Sequence, residues 1–365
     1  MNLIKSIDIF CAVVDNFGDI GVCWRLSRQL STDHHITVRL FVDDMESAKA
    51  IMPYDRSGVE VIHWVKDIEY HQAADMVIEA FACPLPDNVI AAIVQRKSVW
   101  IDLEYLSAED WVAGCHAIPS KHPSTGMIKT LFFPGFDAQT GGIIRENDLI
   151  SRRDAFFADE NAQNSWRKAH FIPEIDRKYI DIGLFCYQTA PLDQLISQLS
   201  RLDKPVRIFR PVFDPQTTSQ VTGSVEIIEI SFLSQVDYDY LLWTCDFNFV
   251  RGEDSFVRAQ LARKPFVWAI YVQEEDAHLV KLRAFLEKIR PFYDEASFER
   301  LANLHDLWNE EGQILTKLSW DVCGLSPQSL IGLTSGAQNW SDYLCEQIDL
   351  STQLLTFTNT LITKT

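Results

Sequence analysis

Two short stretches of this chain hold polar residues crowded at spacings that chemistry can use. The first is Asp15-Asn16-Phe17-Gly18-Asp19-Ile20-Gly21, directly after an apolar, β-rich run over residues 7–14. A dinucleotide fingerprint would place G-x-G-x-x-G in such a turn, yet only Gly18 and Gly21 stand here, with acids at 15 and 19. Carboxylates repel a pyrophosphate, so the turn makes a poor phosphate cradle. It suits the gripping of a cationic substrate, or general-base work. Two acids four residues apart on one tight turn discourage each other's ionisation, which favours proton abstraction near neutral pH. A plain helix start would use the same residues, with Asp15 or Asp19 as cap and Gly18 supplying the turn. Spacing alone leaves both readings open.

The second stretch is Arg251-Gly252-Glu253-Asp254-Ser255-Phe256, between an expected strand and an expected helix. A helix N-terminus offers free N–H groups and a positive dipole end, and Arg251 and Ser255 add donors suited to phosphate oxygens. Glu253 and Asp254 would be unhelpful beside a bare phosphate but suit sugar hydroxyls, so a nucleotide sugar fits the mixture better than ATP. The plain alternative is a capping box with a surface Arg–Glu pair. A third patch is Phe185-Cys186-Tyr187-Gln188, with Gln235 and Tyr238 further on. Aromatics at strand ends can serve as a ligand wall, but on pattern alone they are more often core.

Other chemistries find little support. The chain has no H-E-x-x-H, no Walker A motif and no G-x-S-x-G elbow. Its nine histidines are scattered apart from the adjacent His34 and His35, and no metal site is expected. Asp237-Tyr238-Asp239 opens a helix rather than following a strand, so it does not suit a metal-held diphosphate. Leaving-group charge would have to be met by Arg251 and backbone N–H groups.

The elements that must hold these turns follow from the apolar periodicity. Strands are expected over 7–14, 37–42, 59–64, 76–81 and 98–103, with helices over 45–52 and 86–95. Val22, Leu26 and Leu30 recur at helical spacing after the first turn. Residues 134–142 are Pro- and Gly-rich punctuation, and 147–170 read as one polar bridging helix. A second series has strands over 179–187, 206–210, 225–230, 246–251 and 265–271, and helices over 191–201, 238–244 and 254–262. From 276 onward the chain reads as mostly helical. Strands alternating with helices predict an α/β fold built on parallel sheets, in two Rossmann-like halves facing a cleft, with a helical C-terminal tail. Ligands of such sheets sit at the carboxyl ends of strands, where both polar turns fall. The expected domains are residues 1–150, a linker helix over 151–178, a second α/β domain over 179–335, and a tail over 336–365 packing back toward the first.

Composition narrows the partners. With 33 Lys+Arg against 51 Asp+Glu the net charge is −18, which disfavours general nucleic-acid or membrane-surface binding and suits a basic protein partner. No stretch reaches the roughly 18 uninterrupted apolar residues of a membrane span. The N-terminus leads straight into a strand, so a cytoplasmic protein is expected. The eight cysteines are far apart with no C-x-x-C pair, and buried thiols are expected.

The two polar turns, extended to Asp15–Val22 and Arg251–Gln260, closely resemble the protein-arginine rhamnosyltransferase family EarP, which modifies bacterial elongation factor P. Further matches are Glu79-Ala80-Phe81-Ala82-Cys83, Glu104-Tyr105-Leu106-Ser107-Ala108-Glu109, Gly141-Gly142-Ile143-Ile144-Arg145-Glu146, and Pro265-Phe266-Val267-Trp268 with Ile270-Tyr271. The resemblance implies an inverting, metal-independent glycosyltransferase of the GT-B type, without a cofactor. Its co-substrate would be dTDP-β-L-rhamnose, and its acceptor one arginine of elongation factor P. Carried over by motif, Asp19 becomes the general base, with Asp15 beside it orienting the guanidinium or the loop. Arg251, Asp254 and Ser255 would hold the nucleotide diphosphate, and Glu253 would serve the sugar or the shape of its loop. Phe185, Tyr187, Gln235 and Tyr238 would frame the thymidine. The family often carries Phe where Tyr238 stands. Glu104 and Tyr105 are further candidates for acceptor contact. The competing readings are another nucleotide-sugar enzyme of GT-B fold with a small-molecule acceptor, and a non-catalytic binding module.

Overall fold

The computed structural model describes residues 3–14, 17–52, 57–216, 218–309 and 325–364. The chain divides into two compact units, Met1–Asn147 together with Glu346–Thr365, and Asp148–Cys345. The first unit runs β1 (Ser6–Cys11), α1 (Gly18–Thr32), β2 (Thr37–Val42), α2 (Met45–Ile51), β3 (Glu60–His63), β4 (Met76–Ala80), α3 (Asp87–Arg96), β5 (Val99–Leu103), α4 (Trp111–Cys115), β6 (Ile118–Lys121) and β7 (Ile128–Phe132). Its sheet has the order β3-β2-β1-β4-β5-β7-β6, parallel except for β6, which pairs antiparallel with β7 at the edge. The expected parallel strands are all present. The β6–β7 hairpin was not expected, because its half-exposed residues lack a long apolar run.

Burial on both faces explains why the central strands read as near-continuous apolar runs. On one face Phe10 of β1 lies level with Phe41 of β2, and their rings stack at 4.4 Å. Trp64, Tyr70, Val77, Val89, Ile93 and Trp100 complete that core. One charge is embedded among them. Asp8 is fully buried, and Arg39, its partner in register on β2, binds both carboxylate oxygens at 2.6 and 2.7 Å. The Tyr70 hydroxyl and the Ala74 amide donate to the same carboxylate, so the buried charge is satisfied.

The second unit runs α5 (Leu149–Ala158), α6 (Glu160–Ala169), β8 (Ile180–Leu184), α7 (Leu192–Leu199), β9 (Val206–Val212), β10 (Gln220–Thr222), β11 (Val225–Ser231), α8 (Gln235–Thr244), β12 (Phe247–Arg251), α9 (Glu253–Leu261), β13 (Phe266–Ala269), α10 (Ala277–Ile289), α11 (Glu295–Asn309) and α12 (Pro327–Glu346). Its sheet order is β10-β11-β9-β8-β12-β13, with only β10 antiparallel. The first unit's ion pair recurs: buried Asp181 of β8 is bound in register by Arg207 of β9 at 2.7 and 2.8 Å, and also by Arg167. The last helix, α13 (Leu350–Lys364), belongs to the first unit. There the Leu350 amide donates to the Ile143 carbonyl, and Gln29 donates to Asp349. Gly142 holds φ +74° at this junction, and a Cβ there would meet the Ile348 carbonyl at 2.4 Å, so only glycine fits.

Three expectations change. The single polar helix over 147–170 is two helices, because Asp159 leaves helical geometry (φ −124°, ψ 94°) and its carboxylate caps α6 through the Asn161 and Ala162 amides. Several strands also end earlier than their apolar runs, β1 at Cys11, β8 at Leu184 and β13 at Ala269. Cys11, Cys23, Cys83 and Cys245 are buried as expected, but Cys115, Cys186 and Cys345 are partly exposed. Among the described residues no helix is long and apolar enough to cross a membrane.

Candidate active site

In the second unit the early end of β8 releases Phe185 and Tyr187 into the loop at the sheet's carboxyl edge. The Phe185 amide still reaches the Phe249 carbonyl of β12 at 2.9 Å, fixing the ring beside the end of that strand. Arg251 closes β12, and its guanidinium carbon lies 4.5 Å from the Phe185 ring centroid and 4.8 Å from that of Tyr187. Stacking on two rings holds the guanidinium plane without spending its N–H donors. Among the described residues Arg251 pairs with no carboxylate. The capping alternative, an Arg–Glu pair, is therefore not formed at this turn.

Gly252 then turns the chain into α9. Its φ of +68° with ψ of −176° belongs to a region open in practice to glycine alone, and the Trp268 indole donates to its carbonyl at 3.1 Å. Glu253, Asp254 and Ser255 follow as the first turn of α9, where free amides and the positive dipole end lie. Gln235, first residue of α8, donates through Nε2 to Asp254 Oδ2 at 3.0 Å, tying the two helix starts together. Tyr238 of α8 sets its ring edge-on to Phe185 at 5.7 Å. Burial raises the pKa of its phenol; Ser255 nearby opposes the rise and Asp254 adds to it, so the hydroxyl stays protonated. All seven residues expected around the donor (Phe185, Tyr187, Gln235, Tyr238, Arg251, Asp254 and Ser255) thus gather at one edge of this sheet, with Glu253 among them.

Sequence reasoning passed over Phe213 and Phe232. Each follows the last residue of its strand, β9 and β11, and their rings stack at 4.3 Å with Phe232 6.3 Å from Phe185. The signal was present, an aromatic at each strand exit, but such residues are more often core. Asp239 of the D-x-D match is spent in the interior on Arg258, at 2.7 and 2.8 Å.

In the first unit the turn after β1 opens α1. Asp15, one of the two expected acids, lies outside the described residues. Asp19 is buried in the first turn of α1, and its Oδ2 accepts the Val14 amide at 2.7 Å. The capping residue of α1 is Phe17, without a side-chain cap bond, so Asp19 ties the loop to the helix rather than capping it. Beneath this turn sit three buried thiols. Cys23 is held above the ordinary thiol value by its hydrogen bond with Cys11 and by burial, and burial does the same to Cys83, which leaves both poor nucleophiles. Glu104 and Tyr105 leave the neighbouring end of β5. The Glu104 amide donates to the Phe132 carbonyl at 3.0 Å, and the Tyr105 ring stacks on Phe81. Among the described residues no three His, Cys, Asp or Glu side chains gather as a metal ligand set.

The chain that carries these residues is similar to known proteins along nearly its whole length. A family profile described as Elongation-Factor P (EF-P) rhamnosyltransferase EarP matches residues 7–359. A protein-arginine rhamnosyltransferase of Pseudomonas putida is 39% identical over 381 residues, spanning 96% of this chain and 97% of that protein. A solved structure concerned with EarP-mediated arginine glycosylation of translation elongation factor EF-P aligns with a TM-score of 0.69 at 27% identity, over 97% of this chain and 99% of that one. The glycosyltransferase SnogD from Streptomyces nogalater shares the fold at 11% identity, with a TM-score of 0.50 over 99% of this chain and 100% of that one.

Proposed function

The chain belongs to the EarP family of protein-arginine rhamnosyltransferases, GT-B type glycosyltransferases, and from that premise we propose its donor, acceptor and stereochemistry. It moves L-rhamnose from dTDP-β-L-rhamnose to one arginine of translation elongation factor P, with inversion at the anomeric carbon. The observation that carries the donor half is Arg251, a guanidinium stacked between two rings with its donors uncommitted to any carboxylate. Together with the α9 amides and the Ser255 hydroxyl it is suited to a diphosphate, while Glu253 and Asp254 offer acceptors for sugar hydroxyls. Phe185, Tyr187, Gln235 and Tyr238 surround the thymidine, and Phe232 extends that wall.

The acceptor half rests on Asp19. A guanidinium keeps its proton in water, with a pKa above about 12, so its nitrogen is a poor nucleophile until a carboxylate holds it and takes the proton. In the proposed step the arginine nitrogen bonds to the anomeric carbon as that carbon's bond to the diphosphate oxygen breaks. The nitrogen's proton passes to Asp19 and dTDP leaves. Attack opposite the leaving group inverts the centre. Arg251 and backbone N–H groups stabilise the departing charge, a task that elsewhere falls to a metal ion, so the reaction needs none. Glu104, Tyr105 and Asp15 contribute to acceptor contact, and the chain's excess of acid suits a basic protein surface.

Intact mass spectrometry tests the reading. Incubation of unmodified elongation factor P with dTDP-rhamnose and this enzyme adds one deoxyhexose, and an EDTA-treated sample does the same. Transfer of rhamnose to small molecules only, or no gain on the protein, removes the proposal.

A further inference from the structure

Three neighbouring strands of the first unit, β1, β4 and β5, run parallel and therefore deliver their exits to one edge of the sheet. The first exit leads to Asp19, the second to Phe81 and the third to Tyr105. Phe81 and Ala82 both stand in the left-handed region, with φ of 58° and 53°. That conformation is uncommon for any residue with a Cβ and a genuine outlier for a bulky one, and two in succession persist only where surroundings over-determine them. The Phe81 amide donates to the Leu103 carbonyl at 2.7 Å, and its ring stacks on Tyr105 with centroids 4.3 Å apart and planes 14° off parallel. Both side chains remain partly exposed.

A buried ionic cluster lies about 7 Å below this turn, two residues back on the same strand. Glu79 of β4 and Asp102 of β5 are level in the sheet and both buried, and they share the ammonium of Lys129 at 2.5 and 2.6 Å. The Trp100 indole donates to the second Glu79 oxygen at 2.9 Å. A buried ionic tie of this kind adds little stability over an apolar core, but it locks the register of the strand ends that carry the two rings.

We propose that the stacked Phe81–Tyr105 pair is a platform for a cationic side chain of the acceptor protein, with Glu79, Asp102 and Lys129 as its positioning residues. A partly exposed aromatic ring attracts a guanidinium or ammonium, and the acids at and below this edge favour the same sign of charge. The inference rests on the assignment of the acceptor to the first unit. It adds a binding surface distinct from the proton acceptor.

Steady-state kinetics on the full chain, varying elongation factor P and dTDP-rhamnose in turn, together with calorimetry of elongation factor P binding without donor, test it. Phe81→Leu and Tyr105→Leu raise the acceptor KM and Kd by about tenfold. The donor KM stays within about twofold, since the residues proposed for the donor all belong to the second unit. Phe81→Tyr and Tyr105→Phe keep the stacked ring faces and lose less acceptor affinity than the Leu variants do. Glu79→Gln, which still accepts from Trp100, raises the acceptor KM by a smaller factor and leaves the donor KM alone. Leu variants that bind acceptor as wild type does would overturn the platform, as would donor and acceptor constants rising together with a lost melting transition. A wild type that transfers no sugar, yet loses acceptor affinity in the Leu variants, would overturn the transferase reading and keep the platform. A wild type without affinity for elongation factor P overturns both.

Discussion

Arg251→Ala separates a ligand-binding cation from a structural one, because the surroundings of Arg251 give opposite expectations for affinity and stability. The side chain lies 4.5 and 4.8 Å from two ring centroids and, among the described residues, neutralises no carboxylate. Its removal strands no buried charge, so the cost to folding is limited to two partly exposed ring contacts, about 1 kcal/mol in all. A charge-assisted hydrogen bond to phosphate is worth roughly 1.5–3 kcal/mol, which corresponds to about a 10- to 150-fold loss of dTDP affinity. Arg251→Lys retains the charge without the stacked plane or the fork and recovers part of that loss, leaving about a 3- to 10-fold deficit. Isothermal calorimetry of dTDP with wild type and both variants, at one fixed ionic strength, reads these numbers, with urea unfolding alongside. An unchanged Kd for Arg251→Ala refutes the phosphate role. A destabilisation of several kcal/mol would show that the guanidinium has a structural task instead.

Asp19→Asn retains an oxygen for the Val14 amide but cannot accept a proton, so turnover falls at least about 100-fold while dTDP affinity stays at the wild-type value. A fully active variant, followed by intact mass of the acceptor, dismisses Asp19 as base. Gly252→Ala forces a Cβ into φ +68° with ψ −176°, which costs about 1–3 kcal/mol and displaces the start of α9. Reduced dTDP affinity and a lower urea midpoint are expected together, and wild-type values for both would contradict the strain. His305 is buried in α11, accepting from the Trp268 amide and donating to the Leu301 carbonyl, and burial pushes its pKa down to about 4. The unfolded chain binds that proton near pH 6.5, so stability is full above this value and declines as pH falls toward 4, by on the order of 3 kcal/mol. Urea unfolding at pH 7.5 and pH 5 should show about 2 kcal/mol of this loss, and it should shrink in His305→Gln; an equal pH dependence in both proteins rejects the assignment.

Local chemistry makes much of this protein legible in its sequence alone. Parallel strands buried on both faces must be apolar along their length, so β1–β5, β8, β9 and β11–β13 could be read from the sequence. The turns at 15–21 and 251–256 stood out because acids and glycines interrupt apolar runs where a strand meets a helix. The hairpin strands β6 and β7 and the edge strand β10 escaped, since exposed or half-exposed segments leave no long run to read. The apolar runs also overstated the strands: the sequence Leu184-Phe185-Cys186-Tyr187 is as β-prone past the end of β8 as within it.

The charge types at each turn, and the division of acid and base between the two halves of the chain, were therefore settled by residue order. Tertiary structure alone decided which side chains remain available for a ligand. Arg251, Arg39 and Arg207 look alike in the sequence, yet the last two are bound by buried aspartates in register on the next strand, whereas Arg251 lies against two rings and, among the described residues, pairs with no carboxylate. Likewise Asp239 is consumed by Arg258, and Phe81 stands in a left-handed turn that nothing in its neighbours announces. Whether a polar group is already satisfied depends on partners brought near by the sheet's strand order, and separation along the chain carries no record of that.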